Sequence, residues 1–230
     1  MEELRAALSG ASPPPPAPLR TGVPVIDARL PGGGFGAGLH EVWPGRGGAP
    51  CEAAMVLFAA CALASGSGPV VWALRRRDLF APALAEVGLS PARVIYAEAG
   101  DEASVLAVAE EALRHGGLAG VVCETARLSL KASRRLQLAG EATGTPGFAL
   151  RRGVEAQGTS CLTRWRVEAA PSGQGPGLPG TRWRVSLTRS RRGQPGDWLV
   201  GLDGEAPRRL RLAEAVADRA AGPDARRLSA

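Results

Sequence analysis

Between Leu39 and Leu150 the sequence repeats one alternation, a short apolar run followed by a stretch with helical periodicity. The apolar runs are Leu39 to Trp43, Val70 to Leu74, Val94 to Ala97, Leu118 to Cys123 and Gly147 to Leu150. Between them, helices are expected over Glu52 to Ala64, Arg77 to Val87, Glu102 to Arg114 and Lys131 to Glu141. Asp101 is placed to cap the third of these, and Gly116 to end it. Short apolar strands separated by helices can bury their runs only in right-handed βαβ units. The fold class expected is therefore α/β with a mainly parallel sheet. The helix over Glu52 to Ala64 is almost wholly apolar, which calls for burial on most sides.

After Arg151 the pattern changes. Arg164 to Val167, Arg182 to Leu187 and Asp197 to Leu202 read as strands joined by glycine-rich loops. In the second of them Arg182, Arg184 and Ser186 alternate with Trp183, Val185 and Leu187, a half-buried period of two. Arg189 to Gly196 is a basic turn, so Arg182 to Leu202 is expected to be an antiparallel hairpin. The five residues Thr-Arg-Trp-Arg-Val occur twice, at 163–167 and 181–185, as an echo between adjacent strands. Three parts are expected: an N-terminal arm and linker over 1–20, a body over 21–212, and a tail over 213–230. The arm holds a short helix over 2–9 and a proline-rich spacer over Ser12 to Pro18.

Composition removes several classes. Of 230 residues 45% are hydrophobic, enough for a packed core. No apolar run reaches the roughly 18 residues of a membrane span, and Met1 to Gly10 has no signal-peptide core. Cys51, Cys61, Cys123 and Cys161 stand singly, and His40 and His115 are far apart, so no metal site or disulfide framework is expected. Buried free thiols and a cytoplasmic location follow. The basic residues are 27 arginines and one lysine, Lys131, with a net charge of +6. Any chemistry that needs a lysine must use Lys131.

The first strand–loop–helix unit is where an α/β protein of this pattern holds phosphate. Loop amides, a helix N-terminus, a lysine and a following hydroxyl make such a site. Here the loop reads Gly45-Arg46-Gly47-Gly48-Ala49-Pro50-Cys51. The lysine and hydroxyl are missing around Pro50 and Cys51, Pro50 has no amide hydrogen, and Glu52 adds negative charge. No cofactor, metal or catalytic residue is expected, and ATP hydrolysis is not. Glu124 ends a strand where a magnesium-organising carboxylate would sit, and Arg75, Arg76 and Arg77 cluster where an acid would activate water.

Thr21-Gly22, Asp27, Leu30, the glycines at 32–34 and 38, and Glu41 resemble the approach to the core of the recombinase RecA. The repeated Thr-Arg-Trp-Arg-Val and the segment Arg189 to Trp198 resemble the ImuA family, RecA-like accessory factors of bacterial damage-induced mutagenesis. The resemblance spans roughly Thr21 to Leu212. It implies a RecA-like three-layer fold with a C-terminal antiparallel hairpin and a role in translesion DNA synthesis. It implies partners too: ImuB, RecA itself and an error-prone DNA polymerase, with self-association a further option. The water-activating glutamate of RecA aligns near Arg76. Two other readings stay open, an active DNA-dependent ATPase and a cell-division inhibitor.

The arginines supply the remaining candidates. Arg134, Arg135, Arg151, Arg152, Arg164, Arg182, Arg189, Arg191 and Arg192 are expected to form a face that contacts nucleic acid or a partner, with weak, salt-sensitive DNA affinity. Trp165 and Trp183 are read as core or interface residues, with base stacking as the alternative.

Overall fold

The computed structural model describes residues 17–46, 48–152, 158–171, 181–203 and 206–214. The arm before Ala17 and the tail beyond Glu214 lie outside the described residues, and so does Gly47. The chain runs β1 (Gly38–Pro44), α1 (Ala49–Ala64), β2 (Val70–Leu74), α2 (Ala81–Glu86), β3 (Val94–Glu98), α3 (Glu102–His115), β4 (Gly120–Thr125), α4 (Leu130–Thr143) and β5 (Pro146–Arg151). It continues as β6 (Thr163–Ala170), β7 (Arg182–Ser190), β8 (Gly196–Asp203) and β9 (Arg209–Glu214). One nine-stranded sheet holds them in the order β3-β2-β4-β5-β1-β6-β7-β8-β9. Neighbours from β3 to β6 are parallel; β6 through β9 are antiparallel. The architecture is α/β with mainly parallel strands and the expected hairpin, β7–β8.

Local chemistry sets most boundaries. Asp101 accepts hydrogen bonds from the amides of Ala103 and Ser104 at 2.9 and 3.0 Å, and α3 starts there. Ser129 caps α4 through the amide of Ala132. Gly144, at φ 79°, ends α4 in a left-handed conformation that glycine adopts without strain. The helix expected over Arg77 to Val87 is a correction: α2 spans only Ala81–Glu86. Pro82 lies in its first turn, and a proline removes an amide and disfavours helix before it, so Arg77 to Phe80 stay outside.

Two cores flank the sheet. On one face α1 and α2 meet β1, β5 and β6 through Val42, Phe58, Leu84, Phe148 and Trp165. On the other, α3 and α4 pack through Leu39, Val105, Leu113, Val121, Leu136 and Ala149. Three layers result. Leu202 and Leu210, from β8 and β9, belong to the same core as α1. α1 carries almost no polar side: Ala54, Met55, Phe58, Ala59, Ala60, Ala62 and Leu63 are all buried. Trp165 and Trp183 are buried core residues, and Trp165 packs on Phe35, Phe58 and Trp198 with ring centroids 5.4–6.3 Å apart.

The approach to β1 is held by a carboxylate. Asp27 accepts from the Thr21 amide and hydroxyl, both at 2.8 Å, and from the Gly22 amide. Leu19 bridges to Phe35 and is buried in the core. His40 is fully enclosed beside it. Its Nε2 faces the Gly36 carbonyl at 2.9 Å, so Nε2 carries the hydrogen, and Nδ1 accepts from the Thr163 hydroxyl at 2.7 Å. Burial holds its pKa down at about 4. All four cysteines are buried and free.

Candidate functional site

The loop between β1 and α1 leaves the carboxyl end of the central strand, where ligands of parallel α/β sheets bind. Its geometry departs from a phosphate cradle at each step. The Gly45 amide donates to the Val167 carbonyl at 2.8 Å and is turned into the sheet. Gly48, at φ 65°, precedes α1 with no side-chain cap, and Pro50 occupies the first turn. The Cys51 sulfur, which takes the place of a hydroxyl, is buried and accepts from the Ala169 amide at 3.3 Å. Glu168 of β6 lies directly over Gly45: a methyl group built there would fall 1.8 Å from its Cγ. The cavity at the loop, about 580 Å³, is lined by Trp43, Gly45, Arg46, Glu52, Arg166 and Glu168. Two carboxylates therefore stand beside the two guanidiniums. Lys131 is exposed in the first turn of α4, in the layer across the sheet from α1.

A second crevice lies at the carboxyl ends of β2, β4 and β5. It measures about 190 Å³ and is lined by Arg75, Arg76, Asp78, Glu102, Glu124 and Arg152. Glu124 accepts from the Trp72 indole at 2.8 Å and pairs with Arg152 at 2.7 Å. Its burial pushes the carboxyl above the ordinary range, against the pull of Arg152. Arg152 also reaches Asp78 at 3.2 Å. Arg76 is exposed at the end of β2. Among the described residues no cluster of three or more His, Cys, Asp or Glu side chains could hold a metal ion.

Between these two sites sits a buried cluster. Glu41 of β1, with no exposed surface, takes Arg151 Nη1 at 2.8 Å on one oxygen. The other oxygen takes Thr159 Oγ1 at 2.6 Å, Arg164 Nε at 3.1 Å and Cys161 Sγ at 3.2 Å. Arg151 also donates to the Ala126 carbonyl at 2.9 Å and lies 4.5 Å over the Trp43 ring. A sequence signal existed: Glu41 and Arg151 are charges inside apolar strands buried on both faces.

This cluster corrects part of the expected arginine face. Arg151 is 1% exposed and spent on Glu41, so it contacts nothing outside the protein. Arg164 is 11% exposed and tied to the same carboxylate, and Arg152 is held by Glu124 and Asp78. Arg135 pairs with Glu110 at 2.5 Å. Arg134, Arg189, Arg191 and Arg192 are exposed, and Arg182 is half-buried. Arg191 donates to Ser160 Oγ and the Ser160 amide donates to Ser133 Oγ, which joins the β7–β8 turn to the first turn of α4 beside Arg134. Arg182 begins β7 at the far end from that turn, roughly 23 Å away at strand rise. The nine arginines thus do not share one face.

Two curated proteins decide the family. Protein ImuA of Caulobacter vibrioides, in strains NA1000 / CB15N and ATCC 19089 / CIP 103742 / CB 15, is 40% identical to this chain over 234 residues, 91% of this chain and 94% of theirs. The chain belongs to the ImuA family. No family model matches the sequence. Among solved structures, the RadB recombinase superposes with a TM-score of 0.63 at 16% identity, covering 85% of this chain and all of that one. The chain therefore has the fold of that recombinase. Its described residues include no helix long and apolar enough to cross a membrane.

Proposed function

We propose that this ImuA-family protein is a non-enzymatic accessory factor of damage-induced mutagenesis, an adaptor that keeps the RecA-like scaffold without its nucleotide chemistry. The observation that carries this is Glu168 packed on Gly45 in a loop without lysine or hydroxyl, where a nucleotide's phosphates would need an open, positive cradle. A carboxylate there repels the ligand that the fold would otherwise accept. Arg152 pairs with Glu124, the acid at the position suited to magnesium. The partners proposed are ImuB, RecA and an error-prone polymerase, met in the cytoplasm, with arginines at the β7–β8 turn adding weak contact to nucleic acid.

Calorimetry with magnesium and ATP tests the first half: no binding heat and no turnover are expected, and binding with turnover would overturn it. Co-purification with ImuB and with RecA, at low and moderate salt, tests the second. Retention of at least one partner is expected, and loss of both at low salt would sink the adaptor reading.

A further inference from the structure

A cavity of about 710 Å³ shares no lining residue with either crevice described above. It runs along β9, the last strand of the sheet, between that strand and the turn Arg20 to Val25. β9 pairs with β8 on one side and with no other described strand on the other. Such an edge offers a row of backbone donors and acceptors to an added strand.

The lining has a distinct chemistry. Val23, Val25, Val87, Leu210 and Leu212 make it apolar, and Val25 and Leu212 are 45% and 38% exposed. Arg20, Arg208, Arg209 and Arg211 also line it; Arg208 pairs with Glu86 at 3.4 Å, and the lining itself contains no aspartate or glutamate, so the wall is net positive. Exposed apolar side chains beside an open strand edge fit a peptide better than a phosphate backbone, and the lining offers no aromatic ring for base stacking.

We propose that this groove docks an extended acidic segment of a partner protein. The segment's backbone adds a strand to β9, its alternate apolar side chains enter the cavity, and its carboxylates meet the arginines. The proposal deepens the adaptor reading and rests on it for the existence of a protein partner.

The test uses the full chain and a fluorescent peptide of alternating glutamate and valine, about ten residues long, enough to span β9 at strand rise. Saturable binding is expected by anisotropy, with amide-exchange protection over residues 208–214. The double variant R209E/R211E should weaken binding about tenfold or more, as should V25E on the opposite wall, with melting curves checking that each variant folds. A peptide with lysine in place of glutamate should not bind. Equal binding of both peptides, no binding by the wild type, or unchanged affinity in both folded variants would overturn the proposal. So would a thymidine oligonucleotide that binds more tightly than the peptide and is lost in the same variants. Co-purification separates the two readings. If ImuB or RecA is retained equally by wild type and R209E/R211E, the groove falls and the adaptor stands. If the peptide binds as expected while neither partner is retained, the adaptor falls and the groove stands.

Discussion

Glu41 and Arg151 form an ion pair 2.8 Å long between adjacent strands of the sheet, with 0% and 1% of their side chains exposed. Neither charge can be solvated if the other is removed. Arg164 and Thr159 still reach Glu41 when Arg151 is lost, but the opposite deletion leaves the Arg151 guanidinium, among the described residues, with the Ala126 carbonyl and the Trp43 ring and no carboxylate. Glu41→Ala is therefore expected to cost about 3–5 kcal/mol, and Glu41→Ala with Arg151→Met distinctly less than the sum of the two single changes. Urea denaturation of the four proteins in that cycle measures the coupling. Additive losses would show that the pair does not act as a unit.

Gly45 and Gly193 both lack room for a side chain, for different reasons. A methyl at Gly45 would meet Glu168 at its Cγ, so this partly exposed side chain must rotate about χ1 and turn into the cavity. A methyl at Gly193 would fall 2.1 Å from the backbone carbonyl of Arg29, which cannot move alone. Gly45→Ala should cost under about 1 kcal/mol and Gly193→Ala about 2 kcal/mol or more. Thermal melts of the two variants decide it; equal losses would mean that the contact between the β7–β8 turn and Arg29 is looser than drawn.

The parallel half of the fold was legible because its signal is local. Each run from Leu39 to Leu150 is bounded by a glycine, a proline or a capping side chain, and each became a strand or a helix within a few residues. The apolar girth of α1 was legible too, although what shares its core was not: Leu202 and Leu210 join that core from strands near the other end of the chain. Strand β9 was hidden in plain alternation, Arg209-Leu210-Arg211-Leu212, beside a mixed tail. At the site, the missing lysine could be read directly, whereas Glu168 could not. It reaches Gly45 through the parallel pairing of β1 with β6, a contact with no local sequence signature. Arg151 looks like a surface charge in the sequence because its partner, Glu41, lies on a strand 110 residues away.

The thiols should be inert in the folded protein. Burial pushes Cys61 and Cys123 up to about 12 and Cys161 up to about 11, and Cys51 is enclosed beneath Ala169. Thiolate is the reacting species, so at pH 8 an aromatic disulfide reagent should label none of the four within minutes. All four should react at once in denaturant. Rapid labelling of one native thiol, located by peptide mapping, would show that its part of the core opens.

Acid should destabilise the protein through His40 before most carboxylates are protonated. In the unfolded chain this imidazole takes a proton near its ordinary value of 6.5, but the folded protein resists until about 4. The folded state is therefore favoured fully above pH 6.5, and this contribution is lost as pH falls from 6.5 towards 4. The loss reaches at most about 3 kcal/mol for a difference of that size. Glu124 works in the opposite sense, since its raised carboxyl binds a proton more readily folded than unfolded. The difference between wild type and His40→Gln, measured by urea denaturation at pH 7.5, 6, 5 and 4.5, isolates the histidine. The variant should be less stable at pH 7.5, because the Thr163 and Gly36 contacts are disturbed, yet lose less on acidification. Parallel pH profiles for the two proteins would refute the assignment of a buried, neutral His40.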